Sequence, residues 1–353
     1  MADPQLVVDD LHVRFPTTRG LVEAVNGVSF TLEKGQMLGI VGESGSGKSV
    51  TAKTLMNLLP RTAEVDGSIT FEGQDVRDLA QRKQKHFWGV KMTMVFQDPM
   101  TSLNPVKKCG EQIAETLRYH MGDDNSTALE KAVDLLKQVG IPEPAKRVNQ
   151  YPHELSGGLR QRVVIAMALA CEPSLLIADE PTTAVDVTVQ KRLLDLLDRL
   201  RQERGMSMVL ITHDLGVARG RCDDVAVMYG GRLVERAPTE VLFSDSRHPY
   251  TEALLRTIPR IEQPSHTRLE PIEGRPPELI NPPEQCAFAP RCRHAQAACL
   301  EGIPENSGLP GMHEFACFYP SNTERGDEAV AANIAAGQTV TGLTIAQPAE
   351  GGS

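Results

Sequence analysis

The sequence lacks an apolar run long enough to cross a membrane as a helix. Its longest is the nine residues Val163 to Cys171, about half of the roughly 18 required. It also lacks an excess of basic charge: 37 Lys and Arg stand against 46 Asp and Glu, a net −9, which argues against bulk electrostatic binding of nucleic acid. No basic start followed by an apolar segment opens the chain, MADPQLVVDD. A secretory signal is therefore not expected, the chain is expected in the cytoplasm, and disulfides are not expected in it. What it has is a globular composition, 41% hydrophobic and 24% charged over 353 residues, a length for two domains or one large domain with an appendage. Its seven cysteines are unevenly spread: Cys109, Cys171 and Cys222 are scattered, while Cys286, Cys292, Cys299 and Cys317 crowd the C-terminal region.

From residue 6 to about 246, short continuous apolar runs alternate with helical segments. Met37–Val41, Met92–Phe96, Leu175–Asp179, Met208–Thr212 and Val225–Tyr229 read as parallel strands covered on both faces, hence an α/β core. Residues 98–160 change to helical texture. Leu129, Ala132, Val133, Leu136 and Val139 share one helical face, with Ser126 as the expected N-cap and Gly140 as the stop. Prolines at 276, 277, 282 and 283 mark a linker into a small module over 247–320, and residues 321–353 read as a loosely ordered tail.

Gly42-Glu43-Ser44-Gly45-Ser46-Gly47-Lys48-Ser49 fits the phosphate-loop pattern at every fixed position, between a strand and a helix. Its backbone N–H groups and Lys48 are expected on nucleotide phosphates, and the Ser49 hydroxyl on Mg²⁺. Leu175–Ala178 lead into Asp179, suited to the Mg²⁺ shell, and Glu180, suited to polarise a water. Gln97 follows the strand Met92–Phe96, where it can contact Mg²⁺ or the attacking water, and His213 follows Met208–Thr212, at the strand edge where ligands of open α/β sheets gather. Leu155-Ser156-Gly157-Gly158-Leu159 offers a second glycine-rich helix N-terminus, either an anion site or an ordinary serine cap.

In this order the motifs resemble the ATP-binding cassette ATPases. The resemblance implies a RecA-like core with an antiparallel β-subdomain and a helical subdomain, binding ATP and Mg²⁺. It implies that Ser156, Gly157 and Gly158 form the signature that contacts a nucleotide held by a second subunit, and that Asp186 belongs to the D-loop. By the same resemblance Gln97 is the Q-loop glutamine, His213 the switch histidine, and Phe15 the aromatic that stacks on adenine. Leu159 and Val185 depart from the commonest pattern without removing a reacting group.

The segment from Arg247-His248-Pro249-Tyr250 through Cys286-Ala287-Phe288-Ala289-Pro290-Arg291-Cys292 resembles the C-terminal extension of oligopeptide, dipeptide and nickel importer ATPases, with Gln285 where glycine is common. The cysteine spacing, C-x5-C-x6-C-x17-C, suits an iron–sulfur cluster, an irregular zinc site in which His294 or His313 replaces a cysteine, or four cysteines without a ligand. The resemblance implies a [4Fe–4S] cluster on Cys286, Cys292, Cys299 and Cys317. The three scattered cysteines read as small buried hydrophobes. The resemblance further implies a peptide importer ATPase at the cytoplasmic face of the cell membrane. Its expected partners are a homologous ATPase subunit or a second copy, two transmembrane permease subunits and, indirectly, an extracytoplasmic solute-binding protein, with no nucleic acid. A soluble cassette ATPase acting on DNA or ribosomes is the competing class. A P-loop nucleotide kinase leaves the signature segment without a role.

Overall fold

The computed structural model describes residues 4–81, 87–182, 187–258, 271–309 and 311–345. Twelve strands run in chain order: β1 (Leu6–Thr17), β2 (Gly20–Leu32), β3 (Met37–Val41), β4 (Glu64–Phe71), β5 (Gln74–Asp75), β6 (Met92–Val95), β7 (Leu175–Asp179), β8 (Ser207–Thr212), β9 (Asp224–Tyr229), β10 (Arg232–Pro238), β11 (Ser307–Leu309) and β12 (His313–Phe315). They form an antiparallel sheet, β2-β1-β4-β5, and a larger one, β11-β12-β10-β9-β3-β8-β7-β6. Five of the larger sheet's strands, β9, β3, β8, β7 and β6, are mutually parallel, and β10, β12 and β11 extend one edge antiparallel.

The five parallel strands are the five expected from continuous apolar runs, with ends shifted by one residue at most. Every residue of β3, β6, β7 and β8 is buried, as strands covered on both faces require. Alternation along β3 divides the interior. Leu38 and Ile40 face an apolar layer shared with the small sheet, including Leu6, Phe30 and Phe71, whereas Met37 and Val41 face the helices. The helical layer's apolar cluster continues without a break into Phe288, Ala289, Cys292, Ala295 and Cys299. The C-terminal segment is thus packed onto the ATPase-like core, and its hairpin β11–β12 lengthens the core's sheet.

Three expectations are corrected. The helix Asn125–Gln138 is capped by Asp124, whose carboxylate accepts from the N–H groups of Ser126 and Thr127; an ionised acceptor at the positive helix end displaces the expected Ser126. Its buried face is Ala128, Ala132, Leu135 and Leu136, rotated from the expected one, and Leu129 is exposed. Gly140 does end the helix, at φ +72°. The tail is not loose over its first half: Glu324–Ala336 is a helix capped by Thr323. The proline-rich linker is also tied down, since Ile280 bridges to Val22 and Glu23 N–H donates to the Leu279 carbonyl.

Asn333 fastens the tail helix. Its buried amide donates to the carbonyls of Arg293 (2.9 Å) and Ala295 (3.1 Å) and accepts from Gln296 (2.8 Å). Replacement by alanine leaves those carbonyls without donors, and Asn333→Ala should lose about 1–3 kcal/mol, read as a lowered thermal midpoint.

Candidate functional site

β3 delivers the chain to the loop Gly42–Gly47, and the helix Lys48–Leu55 leaves it. Two glycines are demanded by crowding. A Cβ at Gly42 would stand 2.1 Å from the Met228 carbonyl oxygen, and one at Gly47, at φ +101°, 2.3 Å from that of Ala24. Gly45, at φ +82°, has open space where a Cβ would be. The buried Lys48 ammonium donates to the carbonyls of Gly42 (2.7 Å) and Glu43 (2.8 Å). Burial lowers its pKa, opposed by Glu180, Asp179 and Glu43. The Ser46 hydroxyl is buried with no hydrogen-bond partner. A buried ammonium and an unsatisfied hydroxyl in a loop of this shape fit a phosphate chain.

Ser49 Oγ donates to Asp179 Oδ1 at 3.0 Å. Burial raises the Asp179 pKa, while the Ser49 hydrogen bond lowers it. A hydroxyl and a buried carboxylate side by side are oxygen donors suited to Mg²⁺. Beyond Asp179, Glu180 sits at φ +43°, a strained conformation for a non-glycine residue, with its N–H bonded to the Ile211 carbonyl (3.0 Å). Its carboxylate receives Gln97 Nε2 (3.0 Å) and lies 3.4 Å from His213 Nδ1. The ends of β3, β6, β7 and β8 therefore gather Lys48, Ser49, Gln97, Asp179, Glu180 and His213, all six read from sequence, at one sheet edge.

The other sequence candidates lie elsewhere or beyond view. Ser156 caps the helix Gly157–Ala168 without a side-chain hydrogen bond to it, and Ser156 and Gly157 are exposed. Phe15, paired with Val22, is half-buried against the apolar layer between the sheets. Asp186 lies outside the described residues.

All seven cysteines are free thiols. Burial pushes Cys109 and Cys171 up to about 11 and Cys222 up to about 12, as small buried hydrophobes behave. Cys286, Cys292, Cys299 and Cys317 line one cavity of about 10 Å³ with His248, Phe288 and His294, close to the space of a single water. Backbone amides near the sulfurs, those of Phe288 and Ala289 at Cys286, His294 at Cys292, Gln296 at Cys299 and Tyr319 at Cys317, oppose the rise in thiol pKa that burial causes. Among the described residues, however, no three His, Cys, Asp or Glu side chains form a metal-holding group. These side chains thus do not meet as the expected metal centre, and burial raises the pKa of each of the four thiols. His313 does not line the cavity, its Nε2 lying 2.8 Å from the buried Glu235.

Sequence reasoning missed the aromatic and basic residues behind the loop. Tyr250 Oη accepts the Glu43 N–H at 2.9 Å, and Arg291 pairs with the Glu43 carboxylate. These contacts span 207 and 248 positions, and no local pattern announces them.

The ABC transporter family profile matches residues 25–183, and that of the oligopeptide/dipeptide transporter C-terminal region matches 234–299. The chain is 50% identical over 297 residues to the oligopeptide transport ATP-binding protein OppD of Haemophilus influenzae, covering 84% of this chain and 92% of that one. It is 44% identical over 316 residues to the dipeptide transport ATP-binding protein DppD of Escherichia coli, covering 89% and 96%. Among solved structures, the dimeric MJ0796, a bacterial ABC transporter cassette, superposes with a TM-score of 0.59 at 27% identity, over 66% of this chain and 98% of that one.

The crowding argument separates two glycines of the loop. Gly42→Ala forces the Met228 backbone to move and should cost about 1–3 kcal/mol or more. Gly45→Ala meets no atom and should cost only the backbone strain of a positive φ, about 1–2 kcal/mol. Denaturant unfolding of the two variants orders them.

Proposed function

We propose that this chain, which belongs to the ATP-binding cassette transporter ATPases and within them to the oligopeptide and dipeptide importer group, hydrolyses ATP to drive uptake of peptides or related small solutes. The observation that carries this reading is the convergence on Glu180. Its carboxylate stands beside Asp179 at the end of a buried strand, and Gln97 and His213 hold it from two neighbouring strand ends. In this reading the loop N–H groups and Lys48 bind the β- and γ-phosphates, the ammonium exchanging its bonds to the Gly42 and Glu43 carbonyls for phosphate oxygens. Ser49 and Asp179 hold Mg²⁺, which when bound neutralises charge on the phosphates. Glu180 accepts a proton from the attacking water, while Gln97 and His213 keep its carboxylate in place.

The exposed, unengaged Ser156 hydroxyl and the Gly157–Gly158 turn support a role outside this chain's own site, completing the site of a second cassette. The assembly proposed is a head-to-tail pair with a homologous subunit or a second copy, with Phe15 stacking on adenine and Asp186 linking the two sites. Among the described residues no helix is long and apolar enough to cross a membrane. Attachment to the cytoplasmic face is proposed through two permease subunits, with an extracytoplasmic binding protein delivering the solute. The choice of solute then rests with those subunits. Action on DNA or ribosomes is not favoured, because both relatives reported above are transport ATP-binding proteins by name.

For Cys286, Cys292, Cys299 and Cys317 the proposed occupant is a [4Fe–4S] cluster, with zinc as the alternative. Four thiols around one cavity, each with a backbone amide near its sulfur that favours the thiolate, support a thiolate-bound group. When bound, it supplies a cross-link within a proline-rich segment.

Glu180→Gln should slow phosphate release by roughly 10²–10⁴-fold while ATP binding persists; normal turnover would refute the assignment. Anaerobically purified protein should contain iron and acid-labile sulfide with a visible absorption band, whereas zinc without iron would refute the cluster. Vesicles holding the complete transporter should take up labelled peptides only with ATP inside, and recovery of the chain with nucleic acid in place of permease subunits would overturn the importer reading.

A further inference from the structure

The second residue of the phosphate loop, Glu43, is held at every polar atom. Its N–H donates to Tyr250 Oη, its carbonyl accepts from Lys48, and its carboxylate is gripped by Arg291. Arg291 lies beside Cys292 in the C-terminal module, and its side chain is 3% exposed. Nη1 donates to Glu43 Oε2 (2.6 Å) and Tyr229 Oη (3.2 Å), and Nη2 to Glu43 Oε1 (3.0 Å) and the Ile272 carbonyl (3.2 Å). Nε donates to the Glu273 carbonyl at 2.8 Å. All five guanidinium N–H groups are thereby used, two of them in the parallel fork that fixes a carboxylate in orientation as well as distance.

A buried ion pair of this kind is weak evidence for stability, since a well-packed apolar pair often serves as well. What it does supply is geometry. Arg291 is anchored on its own side by two carbonyls of the linker, at 272 and 273, and by the turn Ala289–Arg291 that leads into Cys292. On the other side it reaches the residue whose carbonyl, with that of Gly42, positions the Lys48 ammonium. The path from the cysteine module to the phosphate-binding lysine is therefore Arg291, Glu43, Lys48, with every step a direct hydrogen bond.

We propose that Arg291 is a positioning residue of the nucleotide site, coupling the cysteine-bearing module to the phosphate loop by holding Glu43 in place. The proposal rests on the reading of this loop as the ATP site and adds to it a dependence on a segment 248 positions away. When Arg291 is lost, Glu43 is free to turn, the loop N–H groups that follow it lose their fixed direction, and phosphate affinity falls.

The test measures binding of a fluorescent ATP analogue to the full chain, and ATP turnover by the complete transporter. Arg291→Gln and Glu43→Gln should each weaken binding and raise KM on the order of tenfold to a hundredfold, with kcat changed much less. The double variant should be no weaker than the weaker single one, because both changes break the same link. Arg291→Lys, which keeps the charge and loses the fork, should fall between. Glu43→Gln lies in the core, so it reports even if Arg291→Gln disturbs the C-terminal module. Unchanged affinity in both single variants, or additive losses in the double, overturns the proposal while a Lys48→Ala control that loses binding leaves the ATP site standing. Normal binding by Lys48→Ala overturns the ATP site and this proposal with it.

Discussion

A loop that binds phosphate must leave several of its backbone N–H groups free for the ligand, so it can draw on fewer of the hydrogen bonds that hold other loops. Its shape has to come from what surrounds it. Here the support is steric and covalent at the glycines and hydrogen-bonded at Glu43: β3 is fixed between β8 and β9 with every residue buried, the Met228 and Ala24 carbonyls close on Gly42 and Gly47, and Tyr250 and Arg291 hold Glu43. The rest of the arrangement follows from fixing that loop. β7 must lie where Asp179 meets Ser49, and β6 and β8 must flank it so that Gln97 and His213 reach Glu180. Strain at Glu180, at φ +43°, is carried by the sheet through its N–H bond to Ile211.

The legible part of this molecule was the part whose physics is local. Parallel strands buried on both faces leave continuous apolar runs, and a phosphate loop requires its glycines, lysine and serine within eight positions. The six residues gathered at the sheet edge could therefore be named before their distances were known. The rest depended on contacts distant in sequence. The burial of Ala128 rather than Leu129 is decided by where neighbouring helices press, and with Asp124 as its cap the helix starts two residues earlier than a Ser126 cap would set it. The tail helix has no strong apolar period; it is held by Asn333 bonding backbone carbonyls, a polar attachment that hydrophobic patterning does not reveal. The cysteine cavity shows the same limit from the other side. Spacing brought four thiols to notice, and folding brought them to one cavity without assembling them into a metal-holding group.

The C-terminal segment is best understood through Glu235. This carboxylate, fully buried on β10, accepts the N–H groups of Arg247 (2.6 Å) and His248 (2.9 Å) and lies 2.8 Å from His313 Nε2. A buried charge persists only when its hydrogen-bonding capacity is filled, and here the groups that fill it come from the start of the helix Pro249–Arg256 and from β12. One acidic side chain in the core thus fixes where the extension begins and where its hairpin returns. The extension's aromatic ring Phe288 then packs against Tyr229 and Tyr250, the same two residues that stand behind the phosphate loop.

The contact between Arg291 and Glu43 also has a place in time. The chain is made from its N-terminus, at roughly 5–20 residues per second, so the 248 positions separating the two residues correspond to about 12–50 s of synthesis. During that interval the loop and its strand have been made, but the guanidinium that anchors Glu43 does not yet exist. The contact that anchors Glu43 is therefore among the last at the phosphate loop to form, although the loop's own sequence is among the first to be made.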